Sequence, residues 1–531
     1  MRRGHVGAPG RRLRRDLSTL ARLWCAARAE ARPAPTGGLP ARRPRPVAAA
    51  LVLVPALAVG VAPPAGDGNR RALASAGRAA DRQVVTRHFT ARDQQVGRYQ
   101  YVPFDVPAET TRVVVGYRYD RRGGANVLDL GLFEPGPLAL GSPAFRGWSG
   151  GGRDTVTIAL DEATPGYWPG PIPPGRWHVM LGLYKVAPEG VDVEITVETS
   201  IEPRPAAPVG LAPRPREPLR SGPAWYAGAL HAHTVHSDGA LSARELADKA
   251  RGERLDFLAI TDHNNTAHQL EVVDVQDLLL IAGEEVTTPG GHFNVWGLPG
   301  ERAYVDFRAA AGDPAIHTLT AGARARGALV SINHPFASCF GCPWTHPVPD
   351  ALDAIEISDE RPEARLQAMA LWDLLLRQGR RVTAVATSDW HRGATRIGVP
   401  AVRVFAAELS APAILGGIRD GRVVVVADGS LPAPVVSVRA GGAEAGIGDR
   451  VLTKAGEALE VGVEGRPEYQ GARADLLWNG EVVASDRLPA GGGVRFARHA
   501  AASGYLRVHL VAADGTLLAL TNPIYVEVVA P

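Results

Sequence analysis

Five short apolar runs in the middle of the chain each end in a motif bearing histidines or carboxylates. Residues 226–230 run into His231-Ala232-His233 and then Ser237-Asp238-Gly239. Phe257–Ile260 runs into Thr261-Asp262-His263, and residues 278–281 run into Gly283-Glu284-Glu285, with His292 shortly after. Leu329–Ile332 leads to Asn333-His334-Pro335, and residues 382–386 lead to Ser388-Asp389-Trp390-His391. Helical patterns alternate with these runs. Ser242 and Glu245 form a capping box opening a helix that ends near Gly252. Residues 316–326 and 363–378 carry helical spacing and stop at Gly327 and Gly379, and residues 413–420 carry another helix. Strand-then-helix units repeated through residues 224–430 predict a parallel sheet closed, or nearly closed, into a barrel. In a parallel barrel all five motifs fall on one rim.

That convergence has a chemical cost. Ten of the 15 histidines lie between His231 and His391. Imidazoles and carboxylates gathered without matching Arg or Lys are unfavourable unless a cation compensates them, and divalent metal ions do so. Residues two apart on a strand share a side, so His231 with His233, and Asp389 with His391, can serve one site. A carboxylate can span two cations, and Glu285 is the natural bridge. Imidazole with carboxylate, and no thiolate in the motifs, suits Zn, Mn or Fe. A single histidine is more often a satisfied structural residue. His236, His268, His317 and His346 are read that way, with His236 exposed or behind the ligands.

The flanking sequence is different. Residues 77–200 alternate in short stretches separated by Gly, Pro and Asp, which predicts a β-sandwich-like domain. Residues 201–223 hold seven prolines and read as a linker. Residues 431–531 are again β, with Asn479-Gly480 and Asp514-Gly515 as hairpin turns, and predict an immunoglobulin-like domain. Residues 1–76 form a basic leader: residues 1–46 carry 12 Arg against two acids, and 47–62 are apolar and followed by small residues. This is the order of a secretory signal, and it predicts an extracytoplasmic protein, secreted or tethered to a membrane by the leader.

Apolar residues make up 45% and charged residues 21%, so the chain can bury real cores. Beyond the leader it is mildly acidic, and no nucleic-acid partner is expected. Three cysteines exclude a disulfide scaffold, and no apolar run reaches the roughly 18 residues of a spanning helix, which excludes a multi-span membrane protein. Cys25 lies in the leader. Cys339 and Cys342 closely follow His334-Pro335. A local disulfide is the favoured reading, with a free thiol pair and redox or metal chemistry as alternatives.

His-x-His-x4-Asp-Gly, Thr-Asp-His, Gly-x-Glu, His-Pro and Asp-x-His, in this order, resemble the PHP metallohydrolase family (polymerase and histidinol phosphatase). Thr261–Asn264 and residues 283–287, followed by Gly291-His292-Phe293-Asn294, are most similar to its CehA/McbA-like branch. The resemblance covers roughly residues 226–430. It implies an α/β fold with a distorted (β/α)7 PHP-type barrel and two or three divalent ions. Carried over by motif, it implies His231, His233, Asp238, His263, Glu285, His292, His334, Asp389 and His391 as ligands. Leaving-group protonation is open among His292, Asp389 and another residue of the rim. Asn264, Asn294, Asn333, Glu356 and Ser358 are implied as supporting or substrate-contacting groups, and Asp262 is expected to orient His263. The implied function is metal-dependent hydrolysis of a small molecule, a phosphate ester first and a carbamate, ester or amide second. No Gly-x-Ser-x-Gly elbow or phosphate loop offers another mechanism. A carbohydrate- or surface-binding protein with an inert barrel is the reading of another class, and the complete ligand set argues against it.

Overall fold

The computed structural model describes residues 78–202, 218–271, 277–339, 341–359 and 361–529. The apolar leader segment 47–62 and the proline-rich residues 203–217 lie outside them. The described part is mostly β, with few helices.

Its first region is two four-stranded antiparallel sheets. One joins Arg78–Phe89, Val191–Ile201, Arg112–Tyr119 and Thr155–Ala159; the other joins Tyr99–Val106, Gly175–Lys185, Val127–Phe133 and Phe145–Trp148. Alternation explains the layering: Val113 and Val115 from one sheet meet Leu128, Leu130 and Val179 from the other, all fully buried.

The central region runs β1 (Ser221–Ala229), α1 (Ala243–Gly252), β2 (Phe257–Ile260), β3 (Leu279–Thr288), β4 (Gly291–Trp296), α2 (Ile316–Ala325), β5 (Leu329–Ile332), β6 (Ala354–Glu356), α3 (Pro362–Arg377), β7 (Thr383–Val385), β8 (Ala401–Glu408), α4 (Ala411–Arg419) and β9 (Val423–Val426). Its strands lie in the order β7-β6-β5-β4-β3-β2-β1-β8-β9. β1, β2 and β3 are mutually parallel, as are β5, β6 and β7. β4 is antiparallel to both its neighbours, and β8 is antiparallel to β1 and β9. The sheet is therefore mixed where an all-parallel one was expected, and a (β/α)7 barrel is not shown. The cause is local. β3 continues past Ile281 through Val286, turns over Pro289-Gly290 and returns as β4, and so short a hairpin yields only an antiparallel neighbour.

β7 and β9, the ends of this run, meet over one side chain. The Ala384 N–H donates to Asn522 Oδ1 (2.8 Å), and Asn522 Nδ2 donates to the carbonyls of Ala384 (2.9 Å) and Val423 (3.0 Å). Asn522 is fully buried and lies between Leu517–Thr521 and Ile524–Val529 of the C-terminal region. That region continues the central sheet, since β9 pairs antiparallel with Leu517–Thr521. A second sheet (Ala443–Gly446, Val435–Ala440, Ala458–Glu464, Gly493–His499) packs on it through Val438, Val461, Leu476 and Val508. Asn479 and Gly480 form the expected two-residue hairpin turn, both at positive φ (51° and 92°).

Candidate metal centre

Backbone pairing carries the motifs beyond the strand ends. Single parallel bridges join Ala232 to Trp390 and His263 to Glu285, so the His-x-His, Thr-Asp-His, Glu and Asp-x-His segments lie side by side. Gly239 fits because a Cβ there would collide with the His233 carbonyl. Asn264, His334 and Asp389 all hold positive φ (51°, 21° and 45°), a strained choice for residues with side chains. Asn264 is held there by Thr287, whose N–H it accepts (2.7 Å) and whose carbonyl it donates to (3.1 Å).

Glu285 is the centre, fully buried on β3. His231 Nε2 lies 3.3 Å from Oε1, His292 Nδ1 3.3 Å and His334 Nε2 3.2 Å. His263 Nδ1 lies 2.7 Å from Oε2 and His233 Nε2 3.5 Å. Asp389 Oδ1 faces His233 Nε2 (2.9 Å), His231 Nε2 (3.1 Å) and His391 Nδ1 (3.6 Å). Asp238 Oδ1 completes the outer side, 3.4 Å from His391 Nε2, 3.7 Å from His263 Nε2 and 4.0 Å from His233 Nδ1. The rings of His233 and His391 stack with centroids 4.0 Å apart. The structure thus brings together all nine motif residues. Their donor atoms fall into overlapping groups whose members lie within 4.8 Å of one another, among them His233/Asp238/His263/His391, His231/His334/Asp389 and His263/Glu285/His292.

The electrostatics set burial against pairing between imidazoles and carboxylates. Burial raises the Glu285 carboxyl, but His231, His263 and His292 outweigh it and hold the group well below the usual range. Asp389 is likewise held low against burial by His231 and His233. Burial, with His391 and His263 nearby, pushes His233 down to about 4, whereas against burial Asp389 and Glu285 lift His231 and Glu285 lifts His263 to about 9. His231 Nε2, His292 Nδ1 and Glu285 Oε2 are buried, make no aligned hydrogen bond, and have other members of the cluster as their charged neighbours. Inward-facing imidazole and carboxylate atoms crowded in this way fit divalent ions.

Supporting groups surround the nine. Glu356 accepts from His231 Nδ1 (3.4 Å), the His334 N–H (3.1 Å), Ser358 Oγ (2.8 Å) and Thr387 Oγ1 (2.8 Å). Asn333 Nδ2 donates to Glu285 Oε1 (3.0 Å), and Asn333 Oδ1 accepts the Asn294 N–H (3.2 Å). Asp262 does not reach His263. Its carboxylate accepts from the Thr234 N–H (2.7 Å), Thr234 Oγ1 (2.7 Å) and Ser237 Oγ (2.6 Å), and lies 3.0 Å from His268 Nδ1. It therefore braces the turn behind His233. His236 is buried rather than exposed: its Nδ1 accepts the Gly166 N–H (3.0 Å) and its Nε2 lies 3.0 Å from Glu271 Oε1. Sequence reasoning missed Ser237, Thr287 and Thr387. Thr287, whose Oγ1 lies 2.6 Å from His263 Nδ1, was recoverable because it is two residues past Glu285 on the same side of β3. Thr387 carries no sequence signal.

A cleft of about 1690 Å³ opens onto the cluster. Asp238, His263, His292, His334, Asp389 and His391 line it, while His231, His233 and Glu285 are fully buried behind them. Tyr99, Asp129 and Trp148 from the first β region also line it, as do Arg361 and Arg365.

No family model matches the chain, and no curated protein matches it. Among solved structures it is similar to a two-domain protein from Bacteroides vulgatus containing a predicted PHP-like metal-dependent phosphoesterase. The identity is 17%, over 59% of this chain and 100% of that one, at a TM-score of 0.32. It is similar to PsfC from Pseudomonas syringae at 16% identity, over 34% of this chain and 82% of that one, at a TM-score of 0.27. A protein from Bifidobacterium adolescentis, provisionally named a metal-dependent phosphoesterase, matches at 17% identity, over 32% and 90% of the two chains, at a TM-score of 0.24. At these scores the likeness carries no weight, and the chemistry rests on the geometry above.

Proposed function

We propose that this chain is a metal-dependent hydrolase of the PHP kind and that its substrate is a small phosphate ester. One observation supports this above others: His231, His233, His263, His292 and His334 each bring a ring nitrogen within 3.5 Å of the Glu285 carboxylate, and Asp389, His391 and Asp238 close the cluster around them. The nine are assigned as ligands to two or three ions of Zn, Mn or Fe type. Such ions, when bound, supply hydroxide near neutral pH and a Lewis acid for an ester oxygen.

The chain's own residues do the rest. Glu356 and Asn333 fix the orientation of His231 and Glu285, and Asp262 fixes the turn that carries His233. His292 and Asp389 face both the cluster and the cleft, and are assigned to the reaction centre beside the leaving group. Arg365 lines the same cleft and favours an anionic substrate over a neutral one, whereas Arg361 is paired with Asp359. The order of charges in the leader assigns the protein outside the cytoplasm.

The test is a substrate panel on protein purified without added metal, with metal content measured on the same sample. Phosphate monoesters and diesters are expected to turn over, and a chelator is expected to abolish the rate until Zn or Mn is restored. Turnover confined to aryl carbamates or carboxylic esters would move the assignment to that class. Undiminished activity in metal-free protein would end the metal reading.

A further inference from the structure

Cys339 and Cys342 are joined by a disulfide, as the local spacing favoured. Its position matters more than its existence. Cys342 is 6% exposed, and its sulfur lies within 4.8 Å of a ring nitrogen of His292 and one of His334. Both histidines are themselves at least nine-tenths buried, and the Nδ1 atoms of both make no hydrogen bond. Gly341, at φ +81°, lets the chain turn back between the two cysteines, and the Cys342 N–H donates to the Cys339 carbonyl (3.3 Å). The Trp344 N–H to Pro335 carbonyl bond (2.9 Å) closes the loop back onto the His334 segment. Both cysteines also line the cleft. Disulfide sulfur is a poor metal ligand, whereas thiolate with two imidazoles is a donor set that holds zinc well.

We propose that this disulfide masks a second kind of metal site: once it is reduced, Cys342 joins His292 and His334 in holding a thiophilic divalent ion such as Zn2+. The inference rests on the reading above only in that His292 and His334 are shared with the cluster. The balance is simple. A dithiol reductant gives two electrons and two protons to the Cys339–Cys342 bond and becomes a disulfide itself. The Cys342 thiol then releases its proton to solvent as sulfur bonds to the ion. Reduction thereby redistributes metal toward the His292–His334 side of the cleft, which couples the redox state of the surroundings to the occupancy of the centre.

Cobalt(II) is the probe, because a cobalt–thiolate bond gives a sulfur-to-metal charge-transfer absorption that nitrogen and oxygen ligands do not. Cobalt is added to full-length wild-type protein, oxidised and dithiol-reduced, and to Cys339→Ser and Cys342→Ser. The absorption is expected in reduced wild type and in Cys339→Ser without reductant, and is expected to be absent from oxidised wild type and from Cys342→Ser. Zinc should bind Cys339→Ser at least about tenfold more tightly than Cys342→Ser. Absence of the absorption from both reduced wild type and Cys339→Ser would overturn the proposal, as would its equal presence in Cys342→Ser. Cobalt spectra of nitrogen–oxygen type in every sample would leave the histidine–carboxylate centre standing while the thiolate site fails. No cobalt binding in any sample would sink both.

Discussion

At the scale of single residues, the cluster divides into groups that face the cleft and groups that hold them still. Asp262 belongs to the second kind. It is fully buried and held ionised against burial by His268 and by His236 and His233 nearby, and its oxygens satisfy Thr234 and Ser237. Ser237 Oγ in turn lies 3.4 Å from His233 Nδ1. Asp262→Asn removes one acceptor and turns a donor toward those groups, so the turn behind His233 must shift. We expect metal affinity to fall about 10- to 100-fold with much of kcat recovered at saturating metal. Metal titration followed by calorimetry checks this, and unchanged affinity would reduce Asp262 to a loop brace. The aspartate stood out in the sequence, but its partner did not. Thr261-Asp262-His263 suggested the neighbouring histidine, whereas alternation along an extended segment sends adjacent side chains to opposite sides. The nine clustered residues were legible because their motifs follow short apolar runs, although Glu285 and His292 proved to lie inside β3 and β4 rather than beyond a strand end. Thr387 and Ser237 were not legible, since small hydroxyls in loops have no pattern until the fold brings a carboxylate to them.

At the scale of elements, β2 and β9 are continuous apolar runs and β5 is one interrupted only by Ser331, and their bounds were readable for that reason. β6 has three residues and left no usable period. β4 was hidden because His292 and Asn294 read as site residues, although residues 291–296 form a strand buried on both faces. That strand is what turns the expected parallel order into a mixed sheet. The seam between β7 and β9 was also invisible, since it depends on an asparagine more than 95 positions from either strand. It has a direct consequence for function, because β7 leads straight into Asp389 and His391. Asn522→Ala would leave the Ala384 N–H and carbonyl buried without partners, at about 1–3 kcal/mol each. We expect a loss of roughly 2–5 kcal/mol in unfolding free energy. Denaturant unfolding measures it, and a change under about 0.5 kcal/mol would show that the seam is held by other contacts.

At the scale of the whole molecule, the sequence texture suggested separate modules, yet the first β region and the central sheet share one buried core. Phe145 packs edge-on against Tyr304 (centroids 4.8 Å apart), and Trp148 lies 5.0 Å from Phe307. Trp168 Nε1 donates to Tyr304 Oη (2.8 Å), and Arg308 Nη1 donates to Tyr101 Oη (2.7 Å). The contact reaches the metal motifs themselves: Asn265, two residues past His263, donates to the carbonyls of Trp148 (2.8 Å) and Gly166 (2.7 Å). No helix among the described residues is long and apolar enough to cross a membrane. The first β region therefore acts as a cover for Tyr304 and Phe307 and lines part of the cleft. A chain restricted to residues 218–529 would expose both rings, at about 1.5–3 kcal/mol each, and would leave Asn265 without its two acceptors. We expect that fragment to aggregate or to bind metal weakly, while a chain of residues 78–529 stays soluble and loads fully. Size-exclusion chromatography with metal analysis on the two chains decides the matter. A monomeric, fully loaded 218–529 fragment melting within a few degrees of the longer chain would show that the cover is dispensable, and the first region would then have to serve the substrate alone.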